Sequence, residues 1–210
     1  MERTIRAKLL VDGAHYDELV AKAVKDALVS VWIATANLKT MLVEAPIGTR
    51  ARARGKYVSF FETLADLAAR GVDVCILHAS EPSGPLRREL PRIKGVKMRR
   101  CPRVHMKMIA IDGRLLYLGS ANLTGAGLGA KGEGRRNFEL GVLTDDEAML
   151  DAAQARFDRI WRGAECAGCK LRRECPKPID VALLTSRASK KRARRSPSSP
   201  PSPSSKARRA

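Results

Sequence analysis

The sequence predicts an α/β fold: a mixed β-sheet sandwiched by helices, followed by a small cysteine-rich clasp and a disordered tail. Three observations predict it. Apolar runs of strand length alternate with longer segments of helical period, which implies layers of helix on sheet. The alternation stops near Gly163, where a cysteine cluster begins. Beyond about Ser186 the chain is Ser, Pro, Lys, Arg and Ala only, a composition that cannot bury enough apolar surface to order itself. The predicted units are therefore 1–163, 164–185 and 186–210. The 210 residues, 44% hydrophobic, suffice for one sizeable core and not comfortably for two.

Residues 5–11 read as a strand. Residues 15–29 read as a helix, with Tyr16, Leu19, Val20, Ala23, Val24, Ala27 and Leu28 on one face. Residues 30–36 (SVWIATA) form a buried strand. Residues 37–56 are irregular and hold the cluster Arg50, Arg52, Arg54 and Lys56. A second helix is expected over 57–70, stopped by Gly71. Residues 72–78 are a strand, and 85–93 a short helix or turn broken by Pro91. Three short strands follow at 96–100, 104–111 and 114–118, the last two joined by the hairpin dipeptide Asp112-Gly113. Residues 137–143 make another strand. A helix then starts with Thr144 as cap and Glu147 completing a capping box, carries Leu150, Ala153, Phe157, Ile160 and Trp161 on one face, and ends at Gly163.

The chemistry concentrates in His105-Met106-Lys107 and the text after it. On a strand, His105 and Lys107 leave the same face, while Val104, Met106, Met108 and Ala110 turn to the core. The nearby ammonium disfavours a second positive charge on the imidazole, and a neutral imidazole is a nucleophile. Lys107 is also a phosphate ligand. After the turn at Asp112, the returning strand brings Ser120 and Asn122 to the same sheet end, as donors to phosphate oxygens.

The six residues His105, Lys107, Asp112, Gly119, Ser120 and Asn122 spell HxKx4Dx6GSxN, which resembles the signature of the phospholipase D superfamily. Leu123-Thr124 and Asn137-x-Glu139-x-Gly141 are similar to that family's downstream text, and the resemblance runs from about Ile5 to Trp161. It implies a two-step displacement through a phosphohistidine, with no metal or other cofactor for catalysis and with a second histidine as acid and then base. It also implies that Asp112 supports the site and that Glu139 orients His105. The chain holds one copy of the motif, because neither His15 nor His78 has a lysine two residues on. The second copy must then come from a second chain, as in the small single-motif nucleases of the family, so a homodimer is expected. His15 and His78 read as ordinary surface or strand-end histidines. Lys131, Arg135 and Arg136, in the loop between Asn122 and the next strand, read either as grips for flanking phosphates or as a solvated loop.

Cys166-x2-Cys169-x5-Cys175 is a separate signal. Three close thiolates suit zinc or an iron–sulfur cluster, with Cys101 the better candidate for a fourth ligand and Cys75 the lesser. The trio also resembles, over ten residues, that of iron–sulfur nucleases of the RecB-like type. Reduced structural cysteines or disulfides are the alternative.

The chain carries +18 formal charge. Nine basic residues and no acidic one lie from Arg187 on, and the remaining 186 residues hold 31 basic against 22 acidic. Such a body is drawn to polyanions, nucleic acid or an anionic phospholipid surface. A metal-independent endonuclease or nucleic-acid phosphodiesterase is the leading expectation. The alternatives are a phospholipase D or phosphatidyltransferase acting on lipid head groups, and a non-catalytic nucleic-acid binder. No apolar run has the ~20 residues of a transmembrane helix, and the start lacks a signal-peptide apolar region, so a cytoplasmic protein is expected.

Overall fold

A computed structural model of the chain describes residues 4–45 and 47–175. The basic tail and the end of the cysteine-rich unit lie outside the described residues. Seven strands make one mixed sheet in the order β1 (Ala7–Val11), β9 (Leu140–Thr144), β8 (Leu115–Gly119), β7 (Met108–Ile111), β2 (Ser30–Thr35), β5 (Asp73–His78) and β6 (Lys97–Arg100). β2, β5 and β6 run parallel, and every other pairing is antiparallel.

The sheet is covered on both faces, so the strands at its centre are apolar on both sides. Ile109, Ile111 and Tyr117 join Ile33 and Ile76 in one core, beneath the helix His15–Val24 and helix α2 (Phe60–Ala69). Val104, Met108, Ala110 and Leu116 join Ala34 and Leu77 in the other, beneath helix α4 (Glu147–Trp161). On α4, Leu150 and Phe157 are buried, and Ala153, Ile160 and Trp161 pack beside them, which is the expected face. Phe157 is stacked between Trp32 and Trp161.

Several elements differ locally from their expectation. The first helix is a π-helix that ends at Val24, and Leu28 is left exposed. The stretch 37–56 holds a short helix, α1 (Arg50–Ala53), and the strand β3 (Leu42–Glu44), which pairs with β4 (Tyr57–Ser59). Helix α2 therefore starts at Phe60, because the Ser59 side chain accepts from Phe61 N–H and caps it. Helix α3 (Gly84–Glu89) passes into a 3-10 turn at Pro91. The cap of α4 is Asp146, which accepts from Met149 N–H at 2.8 Å. Thr144 instead donates to the Arg6 carbonyl and accepts from Asp146 N–H, two bonds that end β9 and turn the chain.

Candidate active site

His105 and Lys107 do not lie within a strand. They precede β7 in extended chain, and pairing continues only as far as Lys107, whose carbonyl accepts from Gly119 N–H at 3.1 Å. Alternation still holds on the core side: Val104 and Met108 are buried, whereas His105 is exposed. Lys107 Nζ donates to the His105 carbonyl at 3.0 Å, which folds the ammonium back beside the histidine. Both residues open onto a cleft of about 680 Å³ with Ser120, Gly119, Met106, Met149 and Arg156 in its walls.

Ser120 reaches this cleft because the chain leaves β8 at Gly119. The tightness there has a visible cause. Gly119 and Gly141 face each other across β8 and β9, and the Tyr117 ring lies over both. A Cβ on Gly119 would stand 2.3 Å from the Tyr117 oxygen, and one on Gly141 would stand 2.3 Å from the Tyr117 ring. Burial pushes the Tyr117 phenol up to about 12.

Asn122 lines a neighbouring polar cleft of about 220 Å³, with Asn37, Lys39, Thr124, Lys131 and Asn137. Its Oδ1 accepts from Asn37 N–H at 3.0 Å, with the Thr35 hydroxyl 3.3 Å away. The carbonyl end is thereby spent on the protein, and the amide NH2 is the end left to donate. The buried Glu139 joins the two clefts: one carboxylate oxygen accepts from the Ser120 hydroxyl and the other from Asn137 Nδ2. Its own N–H donates to Asp12 Oδ1 at 2.8 Å. Among the described residues, Glu139 makes these bonds and none to His105.

Asp112 stands apart. It sits in the β7–β8 turn, seven residues from His105, on the order of 20 Å along extended chain. Its carboxylate accepts from the N–H groups of Leu28, Val29 and Ser30. Burial alone would raise its carboxyl, but these three donors outweigh that and hold it below its ordinary value. Asp112 is thus a splice between β2 and the hairpin, and its support of the site is indirect.

Of the loop basics, Lys131 is in the polar cleft and Arg135 is exposed. Arg136 is folded onto Gly13, where a Cβ would meet its guanidinium at 2.0 Å. Arg136 is therefore not a free grip at the cleft mouth. His15 is fully buried, edge-on to the Tyr117 ring and bonded to the Asp12 carbonyl, so it is a core residue and not a surface one. His78 is buried at the strand end, where desolvation lowers its pKa. The residues that sequence reasoning missed are Thr35 and Asn37. The polar end of SVWIATAN was the available signal, since strand ends on one side of a sheet converge.

A family model described as cardiolipin synthase, PLD-like domain, matches residues 20–161, a span that contains every residue of the motif. The chain belongs to the phospholipase D-like family. Two solved structures share its fold: NucT from Helicobacter pylori, at 18% identity and a TM-score of 0.54, covering 75% of this chain and 96% of that one; and Nuc from Salmonella typhimurium, a phospholipase D family member, at 19% identity and a TM-score of 0.51, covering 74% and 95%. No curated protein matches the chain. Among the described residues, no helix is long and apolar enough to cross a membrane.

The phospholipase D-like body also carries a cysteine cluster, in a cavity that shares Arg156 with the His105 cleft. Cys101, Cys166, Cys169 and Cys175 line one cavity of about 70 Å³. Cys75 lies elsewhere, in β5, where burial pushes its thiol up to about 11.

Proposed function

We propose that the chain is a metal-independent nucleic-acid phosphodiesterase that works as a homodimer with one composite site. The observation that carries the reading is the grouping of His105, Lys107 and Ser120 in one open cleft, with Asn122, Lys39 and Lys131 in the adjoining polar one. Nε2 of one His105 attacks phosphorus, the P–N bond forms, and the P–O bond to the leaving group breaks. His105 of the partner subunit gives that leaving oxygen its proton. The same imidazole then takes a proton from water, whose oxygen displaces the first histidine. Lys107, Ser120 and the Asn122 amide bind the phosphoryl oxygens and favour the charge that builds there.

The need for two chains has support beyond the motif count. Leu9 and Val11 on β1 and Leu140 on β9 share the sheet face that α4 covers further along, yet all three are exposed. They adjoin Leu118, which is itself in the wall of the His105 cleft. Phe138, 97% exposed, extends this strip. An uncovered apolar strip of this kind marks an interaction surface, and a two-fold axis through it would set two His105 side chains near one another. Nucleic acid is preferred to lipid because aromatic residues are only 4% of the chain, few for anchoring at a lipid interface, and because the lysines of the polar cleft suit a flanking phosphate.

The test incubates the protein in EDTA with plasmid DNA, RNA and phosphatidylcholine vesicles. Cleavage of DNA or RNA is expected, and His105→Ala should lower it by at least about a thousandfold. Lipid turnover without nucleic-acid cleavage would overturn the substrate class. Salt-sensitive DNA binding without cleavage would overturn the enzyme.

A further inference from the structure

The segment after α4 poses a physical question. Residues 163–174 fold as a succession of turns, closed by Cys166 N–H to the Gly163 carbonyl, Cys169 N–H to the Cys166 carbonyl, and Arg172 N–H to the Cys169 carbonyl. None of its apolar side chains belongs to either core. A dozen residues without a core do not hold a defined set of turns by themselves. Glu165 pairs with Arg156 and Arg159 and ties the start of the segment to α4; beyond that, four free thiols are the groups in place to constrain it. Cys166, Cys169 and Cys175 come from this segment, and Cys101 comes from the loop between β6 and His105. All four line the cavity described above.

The surroundings fit thiolates. Arg99, Arg103, Arg156 and Arg172 are in the walls of the same cavity, together with Glu165, which pairs with Arg156 at 3.0 Å and leaves a net positive lining. The Arg99 guanidinium donates to Cys166 Sγ at 3.8 Å and to the Trp161 carbonyl, while its Nε is buried without a partner. Neutral thiols have little use for such cations, whereas thiolates buried together require them. The spacing is informative too. Among the described residues, no three Cys, His, Asp or Glu side chains stand close enough to hold one ion. A single zinc would need every sulfur about 2.3 Å from one point. The thiols instead surround open space.

We propose that Cys101, Cys166, Cys169 and Cys175 ligate an iron–sulfur cluster. Its assembly releases the four thiol protons, and the arginines offset the net negative charge that four thiolates leave on it. The cluster ties the post-helix segment to the loop that delivers His105, four residues past Cys101. Arg156, which lines both the cysteine cavity and the His105 cleft, connects the two sites.

The experiment is purification of the full chain under nitrogen. A brown protein with broad visible absorbance near 400 nm and about four iron and four sulfide per chain is expected. Cys101→Ser, Cys166→Ser, Cys169→Ser and Cys175→Ser should each remove most of that colour, while Cys75→Ala keeps it. A variant that fails to fold is replaced by thiol counting on the intact protein: chelating the iron should free about four reactive thiols. Colourless protein with no iron, one zinc per chain, or a disulfide among the four would each overturn the cluster. These readouts are independent of substrate cleavage, so they stand or fall apart from the proposed activity.

Discussion

At Asp112, three backbone N–H groups converge on one carboxylate. The sequence made this residue part of a motif, and its turn position made it a candidate for turn chemistry. Neither reading identified Leu28, Val29 and Ser30 as its partners, because they lie more than eighty residues upstream. The bonds give a prediction with a definite sign. The folded carboxyl is held below its ordinary value of 3.8, so the ionised form adds stability at all pH above that value. That contribution is lost as pH falls through the folded value. Asp112→Asn should therefore lower stability at pH 7 by about 1–2 kcal/mol in urea unfolding, because hydrogen bonds to a charged acceptor outweigh those to a neutral one. The gap between the two proteins should close once the pH has fallen through the folded value. A gap that persists in acid would mean that the charge is not what holds the splice.

The element that fixes Ser120 and Asn122 is the β8–β9 pair. Gly119 was legible as part of a spaced motif, and Gly141 as part of the downstream text. The reason for both, the Tyr117 ring lying over a glycine pair, needed the register between two strands that are distant in sequence. The same limit explains the other differences at this scale. Periodicity placed α4 well, since it has a long apolar pattern of its own. It missed β3 and β4, which are three residues each and depend on one another. It also carried strand structure back over His105, where alternation continues but pairing stops at Lys107. Gly141→Ala should force the Tyr117 ring aside and destabilise the protein by about 2 kcal/mol. Tyr117→Phe removes the hydroxyl that stands 2.8 Å from a Gly141 Cβ, but it leaves the ring carbon at 2.3 Å. It should therefore rescue little of that loss in thermal unfolding, and full rescue would locate the clash at the oxygen instead.

On the scale of the whole molecule, one motif per chain and one uncovered apolar strip lead to the same geometry. If each site needs His105 from both chains, a dimer with one His105→Ala subunit has no working site. Wild-type chains mixed at random with an equal amount of His105→Ala chains would then lose about half their activity per wild-type chain, since about half would be paired with a dead partner. Mixing is done by unfolding and refolding together, and the control refolds wild type with bovine albumin. Leu9→Asp together with Leu140→Asp places charge on the strip and should yield an inactive monomer in light scattering, although neither residue lines the cleft that holds His105 and Lys107. An active monomer, or a mixture whose activity follows the wild-type amount alone, would show that a single His105 suffices. The partner's imidazole would then have no part in protonating the leaving oxygen, and the acid would have to be sought within the chain, where both remaining histidines are buried.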